Sequence, residues 1–193
     1  MTIHCVHAGQ IAPAPWRNGG GSARTLLTWP DAAHPLVRVA LADITQDGAF
    51  SDYTGMQRWF MPLRGNGVVL VHAHGRIALD GTSAPHEFDG ADAPWCELPE
   101  GPVQDLSFMV PQAHGTAHMR ALAEGEAVSE AGTWRGVFTS TAALLRCDDQ
   151  APLQLPPDTL AWSDAATPVR WCLHGGKEPL CAWWLVYRER AGR

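Results

Sequence analysis

Gly67-Val68-Val69-Leu70-Val71-His72-Ala73-His74-Gly75-Arg76-Ile77-Ala78-Leu79-Asp80 is the stretch that decides the fold class. Two short apolar runs flank a polar turn at His74-Gly75, the pattern of two strands joined in a hairpin. Leu36-Val37-Arg38-Val39-Ala40-Leu41-Ala42 and Asp105-Leu106-Ser107-Phe108-Met109-Val110 read the same way. Glycine (19) and proline (15) recur along the whole chain, so few windows can hold a long helix. The best helical candidate, Met119 to Glu130, contains Gly125. Short strands at close spacing with turn residues between them point to an all-β sandwich or barrel.

The chain also repeats itself. Trp95-Cys96 recurs as Trp171-Cys172. At the same offset Val68-Val69-Leu70-Val71 falls over Leu144-Leu145-Arg146-Cys147, and Ile77 and Leu79 over Leu153 and Leu155. Phe108-Met109-Val110 then falls over Trp184-Leu185-Val186. Two small antiparallel barrels with one strand order follow, the boundary lying between Pro111 and Gly132. The division adopted is 1–112 and 113–193.

Composition narrows the function classes. Hydrophobic residues make up 46% and charged residues 18% of the 193 residues, which is globular rather than disordered or fibrous. The net charge is −6 with no run of Lys and Arg, so a nucleic-acid partner is not expected. The start Met1-Thr2-Ile3-His4-Cys5-Val6-His7 lacks the basic and apolar segments of a signal peptide. No stretch approaches the roughly 20 apolar residues of a membrane helix. Five scattered cysteines without a paired motif read as reduced thiols. A cytoplasmic protein with no membrane partner is the expectation.

Pro15-Trp16-Arg17-Asn18-Gly19-Gly20-Gly21, followed by Arg24, is the most specific local feature. It resembles the Pro-Trp-Lys-Asn-Gly-Gly-Gly signature of the HutD/Ves family. Arg38 with Leu41-Ala42-Asp43-Ile44 and Asp47-Gly48-Ala49-Phe50-Ser51, then Gly55-Met56-Gln57-Arg58 with Leu63-Arg64-Gly65-Asn66-Gly67, match further family blocks in order. Phe88-Asp89-Gly90 and Gly101-Pro102-Val103-Gln104-Asp105-Leu106-Ser107-Phe108-Met109 resemble the closing block. The resemblance runs from about residue 13 to 111. It implies a bicupin, two cupin-like jelly-roll halves related by internal duplication. It also implies a link to histidine breakdown, with formylglutamate a proposed ligand in the family, or else a stress-associated role. Three departures bear on ligand choice: Arg17 stands where lysine is usual, Gln104 where arginine is, and Ser107 where asparagine is.

Three glycines in a row allow positive φ and close approach of backbone N–H groups to an anion. Asn18, Gly19 and Gly20 are therefore candidate ligand contacts, with Arg17 or Arg24 binding a carboxylate bidentately. The alternative is a tight turn that simply needs glycine. Arg38 and Arg58 lie in apolar strands, where a buried guanidinium needs an acidic partner or an anionic ligand. Arg58 is the favoured contact, Asp43 and Asp105 the internal partners, and Ser51 and Ser107 neutral hydrogen-bonding groups. An arginine partner is expected to depress the carboxyl pKa values, which favours binding over general acid chemistry.

His72-Ala73-His74 puts two imidazoles on one strand face, but the carboxylate and third histidine of the usual cupin metal pattern do not follow in sequence. No metal and no cofactor are expected. Nor is there a Gly-x-Ser-x-Gly elbow for nucleophilic catalysis. The expected function is a regulatory protein that binds a small acidic metabolite in Arg17, Asn18, Gly19, Gly20, Arg24, Asp43, Ser51, Arg58, Asp105 and Ser107. A cupin-type enzyme acting on an amino-acid derivative, either metal-dependent through His72 and His74 or a hydrolase or isomerase, is the alternative. The nine tryptophans are expected to fill the barrels, with Trp183-Trp184 also available to a homodimer.

Overall fold

A computed structural model describes residues 2–148 and 150–190. Among them the strands are, in chain order, β1 (His4–His7), β2 (Ala14–Pro15), β3 (Gly21–Trp29), β4 (Val37–Ile44), β5 (Gly48–Ala49), β6 (Met56–Arg64), β7 (Val68–His72), β8 (Gly75–Leu79), β9 (His86–Asp89) and β10 (Trp95–Glu97). There follow β11 (Val103–Pro111), β12 (Gly115–Leu122), β13 (Ala127–Val128), β14 (Trp134–Thr139), β15 (Ala143–Cys147), β16 (Leu153–Leu155), β17 (Thr159–Ser163), β18 (Trp171–Gly175) and β19 (Ala182–Glu189). One 3-10 turn spans Ala8–Gln10, and the described residues contain no α-helix. The chain is all-β.

The helical candidate at Met119–Glu130 is instead the end of β12, a turn and β13. β12 pairs along its whole length with β19, from Gly115 opposite Glu189 to Leu122 opposite Ala182. Gly125 takes φ +69 in the turn, a conformation that ends a helix.

The chain forms two compact units, one from Ile11 to His114 and the other from Gly115 onward together with the segment before Ile11. The sequence division leaves that leading segment in the first half. It belongs to the second because β1 pairs with β17, with His4 opposite Trp162 and His7 opposite Thr159.

In the first unit the sheets run β2-β3-β4-β11-β6-β9 and β5-β10-β7-β8. In the second they run β1-β17-β14-β19-β12 and β13-β18-β15-β16. Matching β4, β11, β6 and β9 to β12, β19, β14 and β17 gives one strand order, and the smaller sheets match strand for strand. The constant sequence offset does not survive. Val68, Leu70 and Cys96 face the first core, whereas the matching strands give Ala143, Leu145 and Leu173 to the second. The offset had set Val68 over half-buried Leu144, and Trp95, 49% exposed, over fully buried Trp171. Of those blocks only Ile77 and Leu79 over Leu153 and Leu155 keep phase. A slip of one residue exchanges the faces of a strand, so the hidden relation is of strand order rather than spacing.

The interiors differ in what fills them. The second unit packs Trp171 against Trp184, ring centroids 5.5 Å apart and edge to face. Trp183 and Trp184 are both buried within the chain, so neither offers a surface for a partner. In the first unit the inward positions of β3, β4 and β11 carry Ala23, Thr25, Ala40, Ala42 and Ser107. These small side chains leave space where the other barrel has indole rings.

Candidate functional site

That space is a cavity of about 440 Å³ inside the first unit, within the range of small-molecule sites. Its polar end is built from three adjacent strands. Met109 on β11 faces Arg38 on β4 and Arg58 on β6, which puts both arginines on the inward face. Asp105 and Ser107 are on the same face of β11, and the three alternate along the strand with outward Leu106 and Phe108.

Arg58 is 8% exposed. Its Nη1 donates to the Ser51 carbonyl at 3.1 Å, while its Nε is buried without a partner. Phe50, Tyr53 and Phe88 surround the guanidinium, with centroids 5.4, 5.0 and 4.9 Å from Cζ. No carboxylate among the described residues lies within ion-pair distance of it. Burial pulls its pKa below the ordinary arginine value, and Tyr53 and Asp105 oppose that pull. Arg38 donates from Nη1 to the Tyr53 hydroxyl at 3.1 Å and from Nη2 to Thr25 Oγ1 at 3.4 Å.

Asp105 is 3% exposed, and burial pushes its carboxyl up to about 8. Arg58 pulls the other way and Asp43 adds to the rise. The expected depression by an arginine partner is therefore reversed, because desolvation outweighs a guanidinium that makes no direct ion pair. At neutral pH the carboxyl is largely protonated, and it does not cancel the positive charge of Arg58.

The glycine signature forms the turn between β2 and β3. Gly19 N–H donates to the Trp16 carbonyl at 3.1 Å and Gly20 N–H to Asn18 Oδ1 at 3.1 Å. Both N–H groups are thus committed within the turn, which corrects the reading of Gly19 and Gly20 as an anion nest. Gly19 has φ +74. At Gly21 a Cβ would lie 2.2 Å from the Asp43 carbonyl and 3.0 Å from the Trp16 ring. Through this turn Trp16, Arg17 and Asn18 reach the cavity wall.

Of the ten residues singled out in the sequence, Arg17, Asn18, Ser51, Arg58, Asp105 and Ser107 line the cavity. Arg24 and Asp43 do not. Ala23 and Thr25 point inward from β3 and Ala42 from β4, so strand alternation sends Arg24 and Asp43 to the opposite face. There they form an ion pair of 2.7 Å. Gln104 donates to Asp43 Oδ1 at 2.7 Å and accepts from Arg64, so that departure from the family pattern also lies outside the cavity. Sequence reasoning missed Tyr53, which joins Arg38 to Arg58, and set Arg38 second. The aromatic ring two residues after Ser51 was the available signal.

The lining holds no histidine or cysteine and one carboxyl, Asp105. A divalent cation there would face the guanidinium groups of Arg17, Arg38 and Arg58, so this cavity does not suit a metal. The histidines gather elsewhere. His72 Nδ1 lies 2.9 Å and His74 Nδ1 3.4 Å from Asp92 Oδ2, with His86 Nε2 3.1 Å from His72 Nε2.

Fold and site together define a double cupin-type β-barrel with an arginine-lined cavity in its first barrel. The solved structure of HutD from Pseudomonas fluorescens superposes with TM-score 0.86 at 20% identity, covering 98% of this chain and 100% of that one. The HutD family model matches residues 8–180, and the chain belongs to the HutD family. A conserved protein of unknown function from Pseudomonas aeruginosa superposes with TM-score 0.89 at 19% identity, covering 97% and 100% of the two chains. A cupin 2 conserved barrel domain protein from Leptotrichia buccalis gives TM-score 0.58 at 10% identity over 97% and 98%. An uncharacterized 21.2 kDa protein in the hutC 3' region of Pseudomonas putida is 30% identical over 118 residues, 55% of this chain. The match spans 57% of that relative's length. No helix among the described residues is long and apolar enough to cross a membrane.

Proposed function

We propose that the first barrel binds a small acidic metabolite, an intermediate of histidine catabolism such as formylglutamate, and that the protein acts through this binding as a regulator. Family membership and the relative encoded beside hutC support the association with histidine utilisation. The observation that carries the reading is Arg58. A buried cation with a free Nε and no carboxylate partner is costly unless an anion arrives to complete it. A ligand carboxylate accepts from Arg58, Arg38 supplies a second positive charge, and protonated Asp105 donates to a neutral carbonyl of the same ligand.

The test is a thermal-shift and calorimetric screen of untagged protein against formylglutamate, formiminoglutamate, glutamate, urocanate and histidine. A ligand at 100 times its dissociation constant stabilises by about 2.7 kcal/mol, roughly 5–10 °C for a chain of this size. Equal shifts in wild type and Arg58→Met, or no shift with any acidic compound, would sink the reading.

Asp105 favours a second reading. A buried carboxyl raised to about 8 in a cavity is a proton donor at neutral pH, as a hydrolase or isomerase of formyl or amino-acid derivatives needs. Turnover of the same compounds followed by NMR decides between the two. Conversion lost in Asp105→Asn supports the enzyme; binding without conversion supports the regulator.

A further inference from the structure

The histidine cluster lies outside the cavity and its chemistry differs. His72 ends β7 with its side chain fully buried, His74 is in the following turn, and His86 opens β9 in the other sheet of the unit. Asp92 follows β9 in a turn fixed by its own N–H donating to the Asp89 carbonyl at 2.9 Å. We propose that His72 Nδ1, His74 Nδ1 and Asp92 Oδ2 form a zinc site that ties the β7–β8 hairpin to the β9–β10 turn.

The three ligand atoms lie within 4.8 Å of one another, two of the pairs at 2.9 and 3.4 Å. Tetrahedral zinc with bonds of about 2.0–2.1 Å needs ligand atoms roughly 3.3 Å apart. The set is therefore close to closing on an ion without moving the backbone. Two imidazoles and one carboxylate leave a fourth position for water, and His74, 70% exposed, faces the solvent that supplies it.

His86 completes the argument. His72 needs its Nδ1 lone pair free for a metal, and its Nε2–H must then find an acceptor in a buried place. His86 Nε2 stands 3.1 Å away to accept it, an outer partner that fixes the ligating tautomer. A network held by protons alone would need the reverse arrangement, Nδ1–H donating to Asp92 and His86 donating to Nε2. Sequence pattern concealed the site because the acid arrives from a turn across the sheet edge, not from the strand that carries the histidines.

The experiment titrates ZnCl2 into chelator-treated, untagged protein by calorimetry, with Co²⁺ absorption as a reading of tetrahedral geometry. One ion per chain is expected. His74→Ala, at a side chain that is 70% exposed, and Asp92→Asn should each weaken binding at least tenfold. His86→Ala should weaken it by about 10- to 100-fold. His174→Ala is the control, since His174 lies near Cys172 and Glu124 at 3.4 and 3.2 Å in the other unit and should leave affinity unchanged. No stoichiometric binding by wild type, wild-type affinity in both His74→Ala and Asp92→Asn, or loss only in His174→Ala would overturn the assignment. Metabolite binding through Arg58 does not depend on any of these outcomes.

Discussion

Arg38 and Arg58 stand on either side of Met109, one strand away in each direction, and their guanidinium groups share the ring of Tyr53. Their Cζ atoms lie 5.9 and 5.0 Å from its centroid. Two like charges held this way repel, and no ion pair with a neighbouring carboxylate relieves Arg58. The acidic ligand proposed above would sit between them.

Tyr53→Phe separates the ring from its hydroxyl. The ring contacts with both arginines remain, while the 3.1 Å bond from Arg38 is lost. One such bond is worth about 0.5–1.5 kcal/mol. Ligand affinity measured by calorimetry is expected to fall about two- to tenfold, with Tm nearly unchanged. A larger drop in Tm would mean that the hydroxyl braces the barrel rather than the binding end.

Asp105 sets a pH dependence whose sign is definite. Its folded pKa of about 8 lies above the ordinary aspartate value of 3.8, so the native state holds a proton that the unfolded chain releases. The stabilisation is complete below pH about 4 and is lost as pH rises towards 8. One proton gives a slope of about 1.4 kcal/mol per pH unit at most. Asp105→Asn keeps a neutral side chain at every pH, so the wild-type Tm should fall relative to the variant across this window. Ligand affinity should also weaken above pH 8 in wild type, where ionised Asp105 competes for Arg58, and not in Asp105→Asn. Parallel melting curves of the two proteins from pH 4 to 8 would remove the basis for a protonated carboxyl.

Glycines of the signature differ in what they tolerate. Gly20→Ala places its Cβ 3.4 Å from Asn18 Oδ1, an ordinary contact. Gly21→Ala drives it to 2.2 Å from the Asp43 carbonyl, which cannot yield without moving β4. Urea unfolding should therefore show Gly20→Ala within about 1 kcal/mol of wild type and Gly21→Ala destabilised by about 1–3 kcal/mol or more. Equal effects would mean that the Asp43 carbonyl does not confine the turn at Gly21.

The hairpin at His74, the all-β class and the family signature were legible because each rests on local chemistry: alternation, turn residues and an unbroken motif. What was not legible depends on phase or distance. Arg24 and Asp43 are in the right strands and on the wrong face, since a bulge between Thr25 and Leu27 and the facing register decide direction. The recurring Trp-Cys pair marked matching strands one residue out of step. Asp105 was visible as a partner for Arg58, but the depth of its burial, which reverses the pKa shift, belongs to the folded barrel alone.

Arg58 and Arg135 are the two buried arginines among the described residues, and they should respond differently to the same substitution. Arg135 on β14 is tied to backbone carbonyls, its Nη2 donating to Ala165 at 2.8 Å and Thr167 at 2.6 Å and its Nη1 to Gly132 at 3.3 Å. Methionine there leaves loop carbonyls without their donor, a loss of about 1–3 kcal/mol for a buried group. At about 2–4 °C per kcal/mol, Tm should fall by several degrees while ligand binding in the first barrel is untouched. Arg58 holds one carbonyl bond and three ring contacts, against the penalty of a buried charge that no carboxylate balances. Apolar groups that replace buried charges are often neutral or stabilising. Arg58→Met should therefore melt at or above the wild-type temperature and lose the ligand altogether. Stability given up for a site is the mark of a functional charge. If Arg58→Met instead melts several degrees lower, Arg58 is a structural arginine like Arg135, and the cavity has lost its anchor for an acidic ligand.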